Sequence, residues 1–161
     1  MPKTIHTATA PNGQTFKRTS QNRVYSHVAL GRRSKEEALR RANSKTQQVQ
    51  DGENWDYHNT CATGRATYSA YVLSGSPEFV AKLKARDIAE GTAWIAKNPD
   101  RAAYITQQHA ERLANVEGTN FDLWHDLGWA SRLDLAQKNA ATHKNRSAYW
   151  AECIIVEAVT K

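Results

Sequence analysis

The chain has 161 residues, 40% of them hydrophobic, with five Trp and six Tyr; this suffices for a core without disulfides or metals and excludes a disordered composition. Its net charge of +6 is uneven: residues 1–50 hold ten Lys/Arg against Glu36 and Glu37 (+8), residues 51–127 eleven acids against seven bases (−4), and residues 128–161 five bases against three acids (+2). No apolar run approaches the ~20 residues of a membrane-spanning helix, and Met1–His6 lack the apolar core of a signal peptide, so a cytoplasmic protein with no membrane partner is expected.

Lys3 to Ala10 alternates weakly and ends at Pro11-Asn12-Gly13, a strong hairpin signal, with Gln14 to Arg18 as the returning strand. Arg23 to Leu30 reads as a third strand, with Val24, Ser26, Val28 and Leu30 on one face and Arg23, Tyr25, His27 and Ala29 on the other. Ser34 with Glu37 three residues on is a capping box. It predicts a helix from Lys35 to about Val49, ended by Asp51-Gly52.

Residues 53–75 carry little pattern, although Thr67 to Leu73 is β-branched and aromatic enough for a strand. Ser76-Pro77-Glu78 opens a helix that is expected to turn Phe79, Val80, Leu83, Ile88 and Ile95 inward. Asn98-Pro99-Asp100 opens the next, with Ala102, Ile105, His109, Leu113 and Val116 as its stripe. Phe121 to Leu127 looks helical. Ser131 to Asp134 caps a short helix to about Ala141, and Ser147 to Val159 reads as a buried final strand.

The expected fold is α+β in a single domain, 1–161. A small antiparallel sheet would combine the N-terminal hairpin, the third strand and the C-terminal strand, with one basic helix packed on it. Residues 1–50 would form the basic ββα part, 52–128 a mostly helical acidic insertion, and 129–161 a helix and the strand completing the sheet.

Three segments resemble a group of small uncharacterised proteins encoded by bacteriophages. They are Ala10-Pro11-Asn12-Gly13-Gln14-Thr15-Phe16-Lys17-Arg18-Thr19-Ser20, Arg23-Val24-Tyr25-Ser26-His27-Val28, and Ser131-Arg132-Leu133-Asp134-Leu135-Ala136-Gln137-Lys138. The likeness covers about residues 4–30 and 129–158, and the middle has no counterpart in it. It implies a phage product acting inside a bacterial host cell. Many such proteins bind and block host machinery, defence systems included.

The basic module supplies candidate phosphate contacts: Lys17, Arg18, Arg23, Arg32, Arg33, Lys35, Arg40, Arg41 and Lys45. Binding of DNA or RNA through them would be salt-dependent. The competing reading is a solvated helix face, or one that pairs with the chain's own acids. Tyr25 and His27 are candidates for stacking on bases, or for packing under a helix. Phe121, Trp124, His125 and Trp129 form an aromatic cluster, read either as core or as a protein interface.

No metal or cofactor is expected. Cys61 and Cys153 match no metal or redox spacing, and His58-Asn59-x-Cys61 lacks the partners of a nuclease or zinc site. With no acid/base or nucleophile set in view, a non-catalytic protein is expected. It would engage a host bacterial protein or nucleoprotein complex, or, in the alternative reading, nucleic acid directly.

Overall fold

The computed structural model describes residues 3–146 and 148–160. The fold is α+β. The chain divides into two compact units, one of residues 1–40 with 116–161 and the other of residues 41–115. The middle unit spans residues 41–115, where the expected insertion spans 52–128.

In the first unit, strands β1 (Thr4–Thr9) and β2 (Thr15–Ser20) form the expected hairpin, with Thr9 opposite Thr15. Gly13 takes a positive φ of 85° and its amide donates to Ala10 O at 2.9 Å. Asn12 keeps a negative φ; its Oδ1 accepts from the Gln14 amide at 3.1 Å. The loop is therefore the three-residue kind closed by a left-handed glycine, rather than a two-residue turn with both residues left-handed.

The third strand, β3 (His27–Arg33), starts and ends later than expected. It is the centre of a sheet flanked by β4 (Trp124–Ala130) and β5 (Trp150–Glu157), all antiparallel. Val28, Ala29, Leu30 and Gly31 are all buried, so both faces of β3 are covered. Val28 and Leu30 meet Ala8, Ala10 and Trp124 in the hydrophobic core, with Phe16, Trp129, Ile154 and Val156 packed against it.

The helix that lies on the other face is α6 (Leu133–Arg146), which contacts β3, β4 and β5. Ala136 and Ala140 are its buried residues. The small side chains allow a close approach. The basic helix α1 (Lys35–Ala42) does not take that place, a correction to the expected packing.

A second correction concerns the sheet. The hairpin does not pair with β3. It forms its own three-stranded sheet, ordered β2-β1-β6, with β6 at Val159–Thr160. The C-terminal strand serves both sheets: β5 pairs with β3, and after Ala158 the same strand pairs with β1. The Ala158 amide donates to Ser26 O at 2.8 Å between the two stretches. Ser147, the expected start of this strand, lies outside the described residues.

Residues 121–127, expected as a helix, lead into and form part of β4. Register shifts between Ala29 and Leu30, because Ala29 faces Gly128 whereas Leu30 faces Asp126. Leu127 is the extra residue of a β-bulge. Asp126 braces it, accepting the Gly128 amide on Oδ1 at 2.8 Å and the Trp129 indole N–H on Oδ2 at 2.6 Å.

In the second unit, α2 (Lys45–Ala62) runs straight through Asp51-Gly52. Those residues were expected to end the preceding helix. Gly52 is buried, with the Arg101 guanidinium lying where a Cβ would stand. Helix α3 (Ala70–Leu73) replaces the expected strand at 67–73. Helix α4 (Pro77–Lys97) opens as expected, Ser76 Oγ accepting the Phe79 amide at 3.2 Å. It packs on α2 at Gly91, where a Cβ would come within 2.6 Å of Ala62 N and 2.8 Å of His58 O. Helix α5 (Arg101–Glu117) is capped by Asp100, whose Oδ1 accepts the Ala103 amide at 2.8 Å.

Candidate functional site

The nine expected phosphate contacts do not act as one free row. Arg32 is held by Asp122 at 3.5 Å and Glu152 at 3.2 Å, with its guanidinium over Trp124 at 5.8 Å. Arg40 makes a two-pronged pair with Glu37 at 2.6 and 2.8 Å, and the hydrogen bond and charge of Glu37 raise its pKa. The Arg33 guanidinium stands over the Tyr149 ring at 5.4 Å. Arg41, Lys35 and Lys45 are exposed on α1 and at the start of α2, and Lys17 and Arg18 are exposed on β2. Asp122 and Glu152 therefore offset part of the +8 of residues 1–50 at Arg32, whereas Glu37, the partner of Arg40, is already counted in that sum.

Tyr25 and His27 do not share a strand face, because β3 begins only at His27. Tyr25 precedes it and is buried. Its ring meets His6 edge-on at 5.3 Å and Trp129 at 6.2 Å, and the Arg18 guanidinium lies over it at 5.4 Å. His27 Nδ1 hydrogen-bonds Ser26 Oγ at 2.8 Å. His6 is fully buried. Its Nε2–H donates to Arg23 O at 3.2 Å, while its Nδ1 accepts from the Thr160 hydroxyl at 3.2 Å.

The expected aromatic interface is also redistributed. Trp124 is only 6% exposed and belongs to the core, so it is no interface anchor. Gln14 fixes its backbone: the Gln14 side-chain amide Nε2 donates to Trp124 O, and the Trp124 amide donates to Gln14 Oε1, both at 3.0 Å. Phe121, His125 and Trp129 are half-buried. His125 lies 5.8 Å from the Trp150 ring. Burial, with the Arg33 charge as the smaller cause, pushes its imidazole below the ordinary value.

Two features remain that could meet another molecule. The first is a cavity of about 560 Å³ in the first unit, on whose walls lie Asn22, Arg23, Tyr25, Trp129, Ser131 and Asn139. The second is the apolar surface of residues 41–115. Within that unit the buried residues are Ala42, Asp51, Gly52, Cys61 and Gly91. Tyr71 is 88% exposed and Phe79 55%, with Leu73, Tyr57, Val49 and Ile88 also exposed. Phe79 and Ile88 were expected to point inward. Phe79 and Leu83 instead line a shallow cavity of about 280 Å³ with Lys82 and Arg86.

The reason is how this unit is joined. Helices α2 and α5 meet largely through polar groups, Arg112 with Asp51, Arg101 with Asp56 and the Asn54 amide donating to Tyr104 OH at 2.9 Å, and His109 of α5 meets Asn43, just before α2, at 3.0 Å. The aromatic centre is a His58–Trp94 stack at 4.2 Å with Tyr104 edge-on to Trp94 at 5.0 Å. Such an assembly leaves the apolar side chains of α3 and early α4 without cover. Sequence reasoning missed Tyr71 and Leu73, although two large apolar residues just before Ser74-Gly75-Ser76-Pro77 with no periodic partner were a usable signal.

Among the described residues no group of three or more His, Cys, Asp or Glu is placed to hold a metal ion. Cys61 and Cys153 are free thiols. Burial pushes the Cys153 thiol up, the opposite of an activated nucleophile. Comparisons with known protein families, curated proteins and solved structures find no match.

Proposed function

We propose that this chain is a binding protein without a catalytic step, of the kind phages encode to act inside a bacterial cell. It engages a host protein, a defence component or one that handles nucleic acid, and inhibits or redirects it. The observation that carries this reading is the exposure of Tyr71, Leu73 and Phe79, the last sharing a shallow cavity with Lys82, Leu83 and Arg86. Fully burying each such side chain against a partner is worth about 1.5–3 kcal/mol before the costs of association. Large exposed aromatics with a basic rim are typical of protein interfaces.

Direct nucleic-acid binding through the basic module is the weaker reading, because Arg32 and Arg40 already have carboxylate partners. Affinity capture from bacterial lysate with the full-length protein separates the two. We expect a discrete host protein that survives nuclease and high salt and is lost with Tyr71→Asp and Phe79→Asp, both sites being exposed enough to leave folding intact. Capture that disappears on nuclease treatment, or that ignores both substitutions, overturns the proposal.

A further inference from the structure

The geometry points to a second binding site: we propose that the cavity between residues 22–25 and 129–139 takes a nucleotide. The site is independent of the partner surface and stands or falls without it. Its volume of about 560 Å³ falls within the roughly 300–1,000 Å³ of small-molecule sites.

The chemistry of the walls selects the ligand. Tyr25 and Trp129 form a rigid aromatic corner, set edge-to-face at 6.2 Å and backed by His6 at 5.3 Å from Tyr25. Trp129 is fixed by its indole N–H donating to Asp126. A flat apolar face fits such a corner.

Arg23 supplies the charge. Its backbone is pinned on both sides, the amide donating to Ser20 Oγ at 2.8 Å and the carbonyl accepting from His6 at 3.2 Å. Its guanidinium has no ion pair among the described residues, unlike Arg32, Arg40, Arg86, Arg101, Arg112 and Arg132. A planar, permanently charged fork suits a phosphate.

Asn22, Asn139 and Ser131 offer donors and acceptors together, matching the mixed edge of a base. The lining contains no carboxylate that would repel an anion. A flat face, a mixed polar edge and a phosphate are the three parts of a nucleotide. The base lies against the half-buried Trp129, its edge meets the amides, and the phosphate meets Arg23; Tyr25, itself buried with Arg18 over its ring, backs Trp129.

Calorimetric titration of the full-length protein with AMP, GMP, CMP and UMP tests this. At least one is expected to bind with a Kd below about 1 mM, and its nucleoside about tenfold more weakly. Arg23→Gln, at an exposed position, is expected to erase that difference. Asn22→Asp, also exposed, is expected to weaken both ligands, the nucleotide more than the nucleoside, because it removes a donor to the base edge and adds a negative charge beside Arg23. Circular dichroism melting confirms that each variant is folded.

A short 5′-phosphorylated oligonucleotide that binds more tightly than the free nucleotide, with the same Arg23 dependence, identifies a strand end as the source. Tighter binding of the free nucleotide identifies a metabolite. No binding by any of the four, inorganic phosphate competing as well as the nucleotide, or indifference to Arg23→Gln would each overturn the proposal.

Discussion

His125 sits opposite Gly31 across the sheet, near Trp150 and under the charge of Arg33. Both influences favour the neutral ring, so its folded pKa is depressed from 6.5. The unfolded chain then binds more protons than the folded one between the depressed value and about 6.5, and stability rises with pH across that window. The contribution is present above about 6.5 and is lost as pH falls through the folded value. His125→Gln should flatten the pH dependence of urea unfolding in that range, and proton NMR should place the His125 titration below that of an exposed histidine. None of this is legible in the sequence, where His125 reads only as one of an aromatic cluster. Trp124 and Trp129 were likewise indistinguishable there. The bulge at Leu127 resets which side of the strand each side chain takes, and the pairing strand that reveals it is about a hundred residues away.

Among the elements, α2 shows where local signals lose to packing. Asp51-Gly52 is a sound helix terminator in isolation. In the fold, Gly52 gives room to Arg101, and Asp51 answers Arg112 at 2.7 Å with both side chains largely buried. One aligned hydrogen bond, Arg112 Nη1–H to Asp51 Oδ1 at 3.0 Å, supports the pair. Arg112→Ala would leave a poorly solvated carboxylate, costing about 2–3 kcal/mol in chemical denaturation. The double variant Asp51→Leu/Arg112→Met should recover most of that loss, since an apolar pair of similar volume avoids desolvating two charges. If the double variant is no more stable than Arg112→Ala, the pair contributes more than its desolvation removes. Caps fared better than terminators. Ser34 and Ser76 each accept an amide at the helix start the sequence assigns to them, because a cap depends on only three or four neighbouring residues; in the Asn98-Pro99-Asp100 opening it is the third residue, Asp100, that caps, while Asn98 ends α4.

For the whole molecule, the α+β class and the hairpin were legible, whereas the division of strands between two sheets was not. Alternation says which face of a strand is apolar, but not which partner it finds. The break at Ala158 between β5 and β6 lets one stretch of chain complete both sheets. Deleting residues 158–161 should therefore act unevenly. The sheet of β3, β4 and β5 keeps its three strands, while β1 and β2 are left as a two-stranded hairpin, which is marginal in water. Hydrogen exchange should show amides of 4–20 losing protection well before those of 27–33. Equal loss in both would mean that the strand's two stretches unfold as one.

The same shared stretch of chain bears on how the protein comes into being. The hairpin is synthesised well before its third strand, so the edge of β1 that Val159 and Thr160 occupy stays open until those two residues are made. The most distant pairings in the chain are thus also the last that can form, and such contacts set the pace of folding. During synthesis the helices of 41–115 have all their own residues before either sheet can close. The nascent chain passes through a stage in which its helical part is built while its sheets wait for their shared strand.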